Sequence, residues 1–271
     1  PYVTAALQLD DLRNYDIKFV GGDYIDLNFN NPLLPSRGVI YRDQDPSQIP
    51  YETDPASIVD KFYPGTKTEM VSPYIVKDVR GTTVMAYPFQ YNAAKKTLRV
   101  YRTMTIQLVE NNEPPLNPLY SGQEVPLREM IGVYESAFIN YEAPDNVTIA
   151  DNGEILVICT SRDETAIQPY IDWKTEKGYV VHKEVVTTGT NVDGLVQTMY
   201  DENNNILFVL LVGDWADVKC ANSGGTPSDP VTGCVVGNDD YFDICIGRFA
   251  ANSADQVAIQ VDKVINYEKE P

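Results

Sequence analysis

The stretch "ILFVLLVGD", residues 206–214, decides the fold of the second half of the chain. Its apolar run is unbroken, so both faces of a strand formed here would be buried. Strands that are apolar on both faces are typical of the centre of a parallel sheet that is covered by helices on two sides. The stretch therefore predicts a doubly wound α/β arrangement around it.

The sequence on either side of this stretch alternates between strand-like and helix-like segments. The further strands predicted from short apolar runs are "EILVICT" (154–160), "YVVHKEVV" (179–186) and "DICIGRF" (243–249). Ser161 and Glu164 have the spacing of a capping box, which predicts the start of a helix, and Gly178 is a typical residue just after a helix end. A weaker helical pattern follows in "NVDGLVQTMYDEN" (191–203), and the apolar residues of "SADQVAIQVDKVINYEKE" (253–270) have helical spacing.

The first half has a different character, with turn signals and short alternating runs. "TLRVYRTMTIQLVE", residues 97–110, predicts one half-buried strand that follows a turn at Asn92–Lys96. The Pro-, Asn- and Gly-rich residues that come next cannot sustain a helix or a central strand. The sequence therefore predicts an α+β chain: an antiparallel β domain (1–115), a surface linker (116–150) and part of a three-layer α/β domain with a parallel sheet (151–271).

Composition excludes two classes of function. The net charge of −18 at pH 7 argues against a nucleic-acid partner, because a phosphate-binding surface needs a basic surplus. No apolar run is long enough to predict a membrane span. The acidity suits calcium-binding extracellular proteins, and it also serves solubility in many proteins without a metal.

The cysteines and the single histidine give no catalytic pattern. Cys159 and Cys245 lie in apolar runs and are predicted to be buried thiols, whereas Cys220 and Cys234 bracket a loop. A disulfide closing that loop would contribute roughly 3 kcal/mol, and two unpaired thiols are an equal alternative. His182 falls within a predicted strand and no cysteine or serine motif accompanies it, so we expect a structural role. By its residues alone, the chain carries no hydrolase active site.

An acidic segment, "VGNDDYFD", begins at Val236 and leads into a predicted strand. In an extended segment Asp239, Tyr241 and Asp243 would point the same way, and Asp214 follows the predicted central strand. Carboxylate and carbonyl oxygens are the ligands that calcium prefers. The pattern leaves two interpretations open, a solvated acidic turn or a calcium site completed by Asp214 and the Val236 carbonyl.

Long parts of the sequence resemble gingipain-type cysteine peptidase precursors. "NGEILVICTSRDETAIQPYIDWKTEKGYVVHKEVV", "FVLLVGDWADV" and "VGNDDYFDICIGRFAANSADQVAIQVDKVINYE" are similar to the start of the peptidase domain, and "SPYIVKDVRGTTVMAYPFQYNAAKKTLRVYRTMTIQLVE" is similar to the C-terminal part of the propeptide domain. The resemblance implies a secreted or bacterial surface zymogen, in which a β-rich propeptide precedes a caspase-like domain. The family's catalytic cysteine and histidine would lie downstream, so no catalytic residue is expected in this chain.

The resemblance also implies ligands, an inhibitory contact and partners. The calcium ligands carried over by position are Asp214, the Val236 carbonyl, Asp239, the Tyr241 carbonyl and Asp243, where Asp243 is one methylene shorter than the family's Glu. In Arg- and Lys-specific members a basic propeptide residue fills the specificity pocket; the candidates here are Arg37, Arg42, Lys77 and Arg80. The partners implied are a C-terminal remainder carrying the Cys and His, and protein or peptide substrates. The alternatives are a sortase-like relative in a bacterial secretion system and a non-catalytic surface binding protein.

Overall fold

The chain forms two compact units. The computed structural model describes residues 1–120, 126–144 and 152–269. The first unit comprises Pro1–Ala6, Arg13–Ser72 and Thr82–Pro114. The second unit comprises Leu7–Leu12, Pro73–Gly81 and Pro115–Pro271.

The first unit is built from antiparallel strands. In chain order the strands up to residue 111 are β1 (Val3–Gln8), β2 (Asn14–Gly21), β3 (Tyr24–Asn28), β4 (Phe62–Tyr63), β5 (Thr68–Met70), β6 (Tyr74–Val76), β7 (Val79–Ala86), β8 (Phe89–Asn92), β9 (Thr97–Tyr101) and β10 (Thr105–Asn111). Of these, β6, the end of β1 and the start of β7 belong to the second unit. Strand β2 pairs with β10, β5 pairs with the end of β7, and a further sheet has the order β3-β9-β8-β4. The antiparallel character predicted for this part is confirmed.

One predicted strand is two strands. Residues 97–110 divide into β9 and β10, which lie in different sheets, and Arg102 to Met104 separate them. The backbone N–H of Arg102 donates to the Asp23 carbonyl (2.8 Å), and the N–H of Asp23 donates to the Thr103 hydroxyl (3.1 Å). The prediction of a single strand was wrong because these bonds to a residue far away in sequence bend the chain.

The second unit contains a parallel sheet and helices. Its remaining strands are β11 (Glu154–Thr160), β12 (Val181–Val186), β13 (Thr190–Asn191), β14 (Ile206–Val212), β15 (Val218–Lys219), β16 (Asn222–Ser223), β17 (Thr226–Pro227) and β18 (Cys245–Phe249), and its helices are α1 (Arg128–Ala137), α2 (Glu164–Glu176), α3 (Asp193–Glu202) and α4 (Ala254–Lys269). The main sheet has the order β12-β11-β14-β18, and all three neighbouring pairs are parallel. Strand β14 lies inside this sheet, as its apolar run predicts.

Helices cover both faces of the parallel sheet. On one face Val157 of β11 packs in a buried cluster with Ile167 of α2 and Val257 of α4. On the other face Ile158, the next residue of β11, packs in a second cluster with Val196 of α3. Successive side chains of a strand point to opposite faces, so an unbroken apolar run supplies both clusters.

The start of α2 differs from the sequence expectation, its end agrees with it, and one further helix was not predicted. Helix α2 begins at Glu164 after Asp163, whose buried carboxylate pairs with Arg162 (2.8 Å), so Ser161 is not its cap. Gly178 follows the helix with φ 94°, a left-handed conformation that glycine adopts at little cost. Helix α1 was not predicted; it lies within residues 116–150 and buries Met130 and Tyr134. The spacing of Met130, Tyr134 and Phe138, four residues apart, is its sequence signal.

The exposure of the two cysteines in strands depends on where each lies in the parallel sheet. Cys159 is buried in β11 as predicted, but Cys245 is exposed, because β18 is at one edge of the parallel sheet. Cys220 and Cys234 are free thiols, so the structure has the unpaired alternative and not the disulfide.

Candidate functional site

A β-hairpin lies against the acidic segment within the second unit. The hairpin, Pro73–Gly81, consists of β6, the start of β7 and a turn at Lys77 and Asp78. Lys77 has φ 52°, the left-handed conformation that a tight turn requires. The ring of Tyr74 stacks on the ring of Tyr241, with centroids 3.9 Å apart and planes 10° apart. The candidate site is therefore the junction of the hairpin with residues 236–243.

Asp243 is the centre of this junction. Its side chain is 0% exposed, and Oδ1 accepts the backbone N–H of Lys77 (2.7 Å). Its Oδ2 accepts the N–H groups of Val235 and Val236, each at 2.8 Å. Burial raises the pKa of Asp243 to about 6, although the N–H donors act in the opposite direction by favouring the carboxylate.

Asp239 makes a second set of contacts with the same hairpin. Its Oδ2 accepts the backbone N–H of Ile75 (2.9 Å) and the side-chain amide of Asn117 (2.7 Å). Its Oδ1 accepts the N–H of Tyr241 (2.8 Å). Asp240, between the two anchoring carboxylates, is exposed. The negative charges of Asp239 and Asp243 are therefore stabilised by N–H groups, some of which belong to the hairpin.

Asp214 is engaged in its own turn. It follows β14, its N–H donates to the Ala251 carbonyl (3.0 Å), and its Oδ1 accepts the N–H of Trp215 (2.7 Å). No set of three or more His, Cys, Asp or Glu side chains within residues 1–120, 126–144 and 152–269 is placed to hold a metal ion.

The predicted calcium ligands do not fit a calcium ion as they are arranged here. Every carboxylate oxygen of Asp239 and Asp243 faces at least one N–H donor. A cation bound to these oxygens would meet the positive ends of those dipoles, whereas calcium requires six to eight converging oxygens. The assignment of calcium to Asp214, Val236, Asp239, Tyr241 and Asp243 stays a prediction from the resemblance.

The side chain of Lys77 enters the second unit beside α3 and β14. It is 1% exposed, and its Nζ donates to the carbonyls of Asn204 (2.8 Å) and Ile206 (3.3 Å). The hydroxyl of Tyr200 lies 3.5 Å from Nζ, and the centroid of its ring lies 4.6 Å away. Burial lowers the pKa of Lys77, because the charged form loses its water. These three partners could not be predicted from the sequence, since two of them contribute only backbone oxygens.

Arg80 is the other buried base of the hairpin, and its side chain is 0% exposed. Its Nε donates to the carbonyl of Asn117 (2.9 Å), one terminal nitrogen donates to Leu116 (2.8 Å), and the other donates to Asp10. The guanidinium therefore ties the hairpin to two other backbone segments of the second unit, around Asp10 and at Leu116–Asn117, which is a structural use of a planar donor group.

The two remaining basic candidates lie in the first unit, in a long segment between β3 and β4 that includes short 3₁₀ turns at Pro46–Gln48 and Pro55–Ser57. Arg37 donates to the carbonyl of Pro46 and lies over the ring of Tyr51, 4.7 Å from its centroid. Arg42 is exposed in a turn.

The single histidine lies in β12, where a ring nitrogen of His182 bonds the carboxylate of Glu154. Both residues belong to the parallel sheet, since Glu154 begins β11. This contact gives His182 a partner within the sheet, and its structural role stays a prediction. No helix among the described residues has the length and apolarity that crossing a membrane requires.

Comparisons with known proteins agree with the resemblance in the sequence. Residues 1–149 match the family model described as Propeptide_C25, and residues 148–271 match that of Peptidase family C25. Gingipain R2 of Porphyromonas gingivalis (strain ATCC BAA-308 / W83) is 32% identical over 278 residues, which is 99% of this chain and 38% of the relative. Gingipain R1 of Porphyromonas gingivalis is also 32% identical, over 99% of this chain and 28% of the relative.

A solved structure is similar as well. The complex of Porphyromonas gingivalis RgpB pro- and mature domains aligns with 52% of this chain and 71% of that chain, at 32% identity and a TM-score of 0.46. The chain spans less than two fifths of the length of the gingipain R2 relatives that it matches.

Proposed function

Since the chain belongs to peptidase family C25, we propose that it is the zymogen portion of a gingipain-like cysteine endopeptidase. The observation that carries the proposal is the order of the two family matches, propeptide first and peptidase second, along one chain. In this proposal residues 1–115 are a β-rich propeptide domain, residues 116–150 are the joining segment, and residues 151–271 are the N-terminal part of a caspase-like domain.

The reacting groups belong to the remainder of the peptidase. A cysteine thiolate there attacks the carbonyl carbon of a peptide, the C–N bond breaks, and a histidine gives the leaving amine its proton; water then releases the acyl group from sulfur. The edge of the parallel sheet is a candidate position for that remainder to pack. Beside edge strand β18 there is a cavity of about 270 Å³, lined by side chains that include Phe208, Leu210 and Ile246. Further segments packed here would extend the core.

Protein or peptide substrates and a secreted or bacterial surface location complete the proposal. The substrate class and the location are inferred from family membership alone. The acidic composition is compatible with an extracellular protein and unsuited to nucleic acid.

Among the four basic candidates, we propose Arg42 as the residue that blocks the downstream specificity pocket. Such a residue must project from this chain into a pocket that the remainder supplies. Lys77 and Arg80 are buried and hydrogen-bonded within the second unit, and Arg37 is held at Pro46 and Tyr51. Arg42 is exposed, so its guanidinium is available for a carboxylate or carbonyls elsewhere.

Replacing Arg42 with alanine in the complete precursor should raise the peptidase activity of the uncleaved protein roughly 10- to 100-fold, the range expected when charge-assisted hydrogen bonds are lost. The measurement is hydrolysis of fluorogenic arginyl and lysyl peptides by precursor that is verified as uncleaved. Arg37→Ala is the matched control in the same segment and should leave the precursor latent. Release of activity by Arg37→Ala and not by Arg42→Ala would overturn the assignment; a mature protein without peptidase activity would overturn the function.

Calcium enters this proposal only through the resemblance. In the present arrangement the backbone amides of the hairpin are hydrogen-bonded to the carboxylates of Asp239 and Asp243. We therefore propose that calcium binds the five predicted positions only in a conformation in which these hydrogen bonds are broken. The stability of Asp243 variants, with and without calcium, distinguishes the two uses of these carboxylates.

A further inference from the structure

We propose that Tyr200, Asn204 and Ile206 form a binding socket for a primary ammonium group, and that Lys77 of the hairpin is the ligand that fills it. We call these three residues the lysine socket. The inference goes beyond the zymogen proposal and rests on it in one respect: Lys77 lies in the part that matches the propeptide, and the socket lies in the part that matches the peptidase.

The socket has the geometry of an ammonium site. Three oxygens surround Nζ: the Asn204 carbonyl at 2.8 Å, the Ile206 carbonyl at 3.3 Å and the Tyr200 hydroxyl at 3.5 Å. An ammonium group has three N–H donors and no acceptor, so three acceptors around it match its bonding capacity. The Tyr200 ring adds its negative face, 4.6 Å from Nζ to the centroid.

The helix next to the socket contributes a second, independent reason for a cation here. Helix α3 ends at Glu202, between the two residues Tyr200 and Asn204 of the socket. The C-terminal end of a helix carries partial negative charge and is stabilised by a nearby cation. Helix α3 has no basic residue in its own last turn, so Lys77 supplies the missing positive charge from the hairpin.

The backbone of Lys77 links the socket to the acidic segment. The left-handed turn at Lys77 directs its N–H to Asp243 while its side chain reaches the socket. One residue therefore makes both contacts, and losing the side chain should loosen the hairpin amides that face Asp239 and Asp243. The geometry favours lysine over arginine, because a planar guanidinium needs acceptors spread over a wider fork.

A small amine can reach the socket from solvent. A cavity of about 310 Å³ adjoins Lys77 and is lined in part by Tyr200, Asn204 and the exposed acidic residues Asp201 and Glu202. The acidic rim attracts cations, so n-butylammonium, which has the length of a lysine side chain, is a suitable probe for an emptied socket.

The test is hydrogen–deuterium exchange of the hairpin in the intact chain with Lys77→Gly. Glycine accepts the left-handed backbone, so the variant removes the side chain without straining the turn. We expect the amides of residues 73–81 to exchange roughly 10- to 100-fold faster, because hydrogen bonds of a charged group are lost. Addition of n-butylammonium should restore protection in Lys77→Gly and leave the wild type unchanged.

Lys96→Gly is the matched control. Lys96 has the same φ of 52°, but it lies in the first unit and its Nζ bonds the Asn30 carbonyl. This variant should not change exchange of the hairpin. Lys77→Met keeps the length of the apolar stem and should also lose protection, which covers the case in which the glycine variant fails to fold.

Three results would overturn the proposal: wild-type protection of the hairpin in Lys77→Gly, wild-type protection in Lys77→Met, or no recovery with n-butylammonium. The second would mean that packing of the stem, and not the ammonium, holds the hairpin. The readout needs no peptidase activity. Failure of the zymogen proposal, seen as an inactive mature protein, is therefore distinguishable from failure of the socket.

Discussion

Replacement of Asp243 by asparagine is expected to destabilise the second unit by about 1.5–3 kcal/mol, the range for losing hydrogen bonds to a charged group. The buried carboxylate accepts three backbone N–H groups, from Lys77, Val235 and Val236. Asparagine offers one acceptor oxygen, and its NH₂ group would face at least one of these donors. The loss should be the same in calcium and in EGTA, because the donors are amides.

Urea unfolding followed by tryptophan fluorescence measures this loss in the right place. Trp173 and Trp215, the two tryptophans of the chain, both belong to the second unit. Asp240→Asn is the matched control, since Asp240 is exposed in the same acidic segment, and it should change stability by less than about 0.5 kcal/mol. A calcium-dependent increase in wild-type stability that Asp243→Asn abolishes would mean that an ion, and not the hairpin, is the partner of this carboxylate.

Replacement of Arg80 by alanine should cost the second unit about 4 kcal/mol, because buried carbonyls lose their donors and a cavity remains. The guanidinium of this hairpin residue bonds the carbonyl of Asp10 in one segment of the chain and the carbonyls of the consecutive residues Leu116 and Asn117 in another. Arg80→Lys should recover only part of the loss, since one ammonium cannot span the same acceptors.

The same urea measurement serves for Arg80, with Arg102→Ala as the control. Arg102 is exposed in the first unit, so its removal should leave the tryptophan signal of the second unit unchanged. Equal midpoints for Arg80→Ala and the wild type would show that Arg80 does not hold the three segments together. An Arg80→Lys variant as stable as wild type would show that charge alone, and not the planar fork, carries the contact.

The fold could be predicted where the signal lies within one element. The apolar run of residues 206–214 places β14 inside a parallel sheet because such a run can be buried on both faces. The division of residues 97–110 into two strands depends on contacts with Asp23, which no local pattern shows. Helix α1 was missed because Pro-, Asn- and Gly-rich neighbours mask its short pattern.

The candidate site could be located from the sequence, but its partners could not. Asp239 and Asp243 stand out because carboxylates so close in sequence need a positive environment. The N–H of Ile75 that meets Asp239 comes from 164 positions away. Lys77 was singled out as a basic residue of a turn, yet two oxygens of its socket are backbone carbonyls, which leave no trace in residue type. Tertiary contacts made by the main chain are therefore the part that sequence patterns cannot supply.

The surroundings of the four cysteines of this chain favour the thiol over the thiolate. Loss of water around the sulfur raises the pKa of the buried Cys159 to about 11. The same cause raises the pKa values of Cys220, Cys234 and Cys245, although Cys245 as a whole residue is exposed at the edge of the sheet. Few of these thiols are thiolates at neutral pH, and the thiolate is the attacking form. The reactive sulfur of the proposed peptidase should therefore be found elsewhere.

Mass spectrometry of the natively purified, activated protein after reaction with a peptidyl thiol-alkylating inhibitor tests the central claim most directly. We expect the inhibitor to label a cysteine that follows residue 271, in a fragment that co-purifies with this chain. An excess of substrate should block this labelling. Substrate-protectable label on Cys159, Cys220, Cys234 or Cys245, or peptidase activity from residues 1–271 alone, would contradict it.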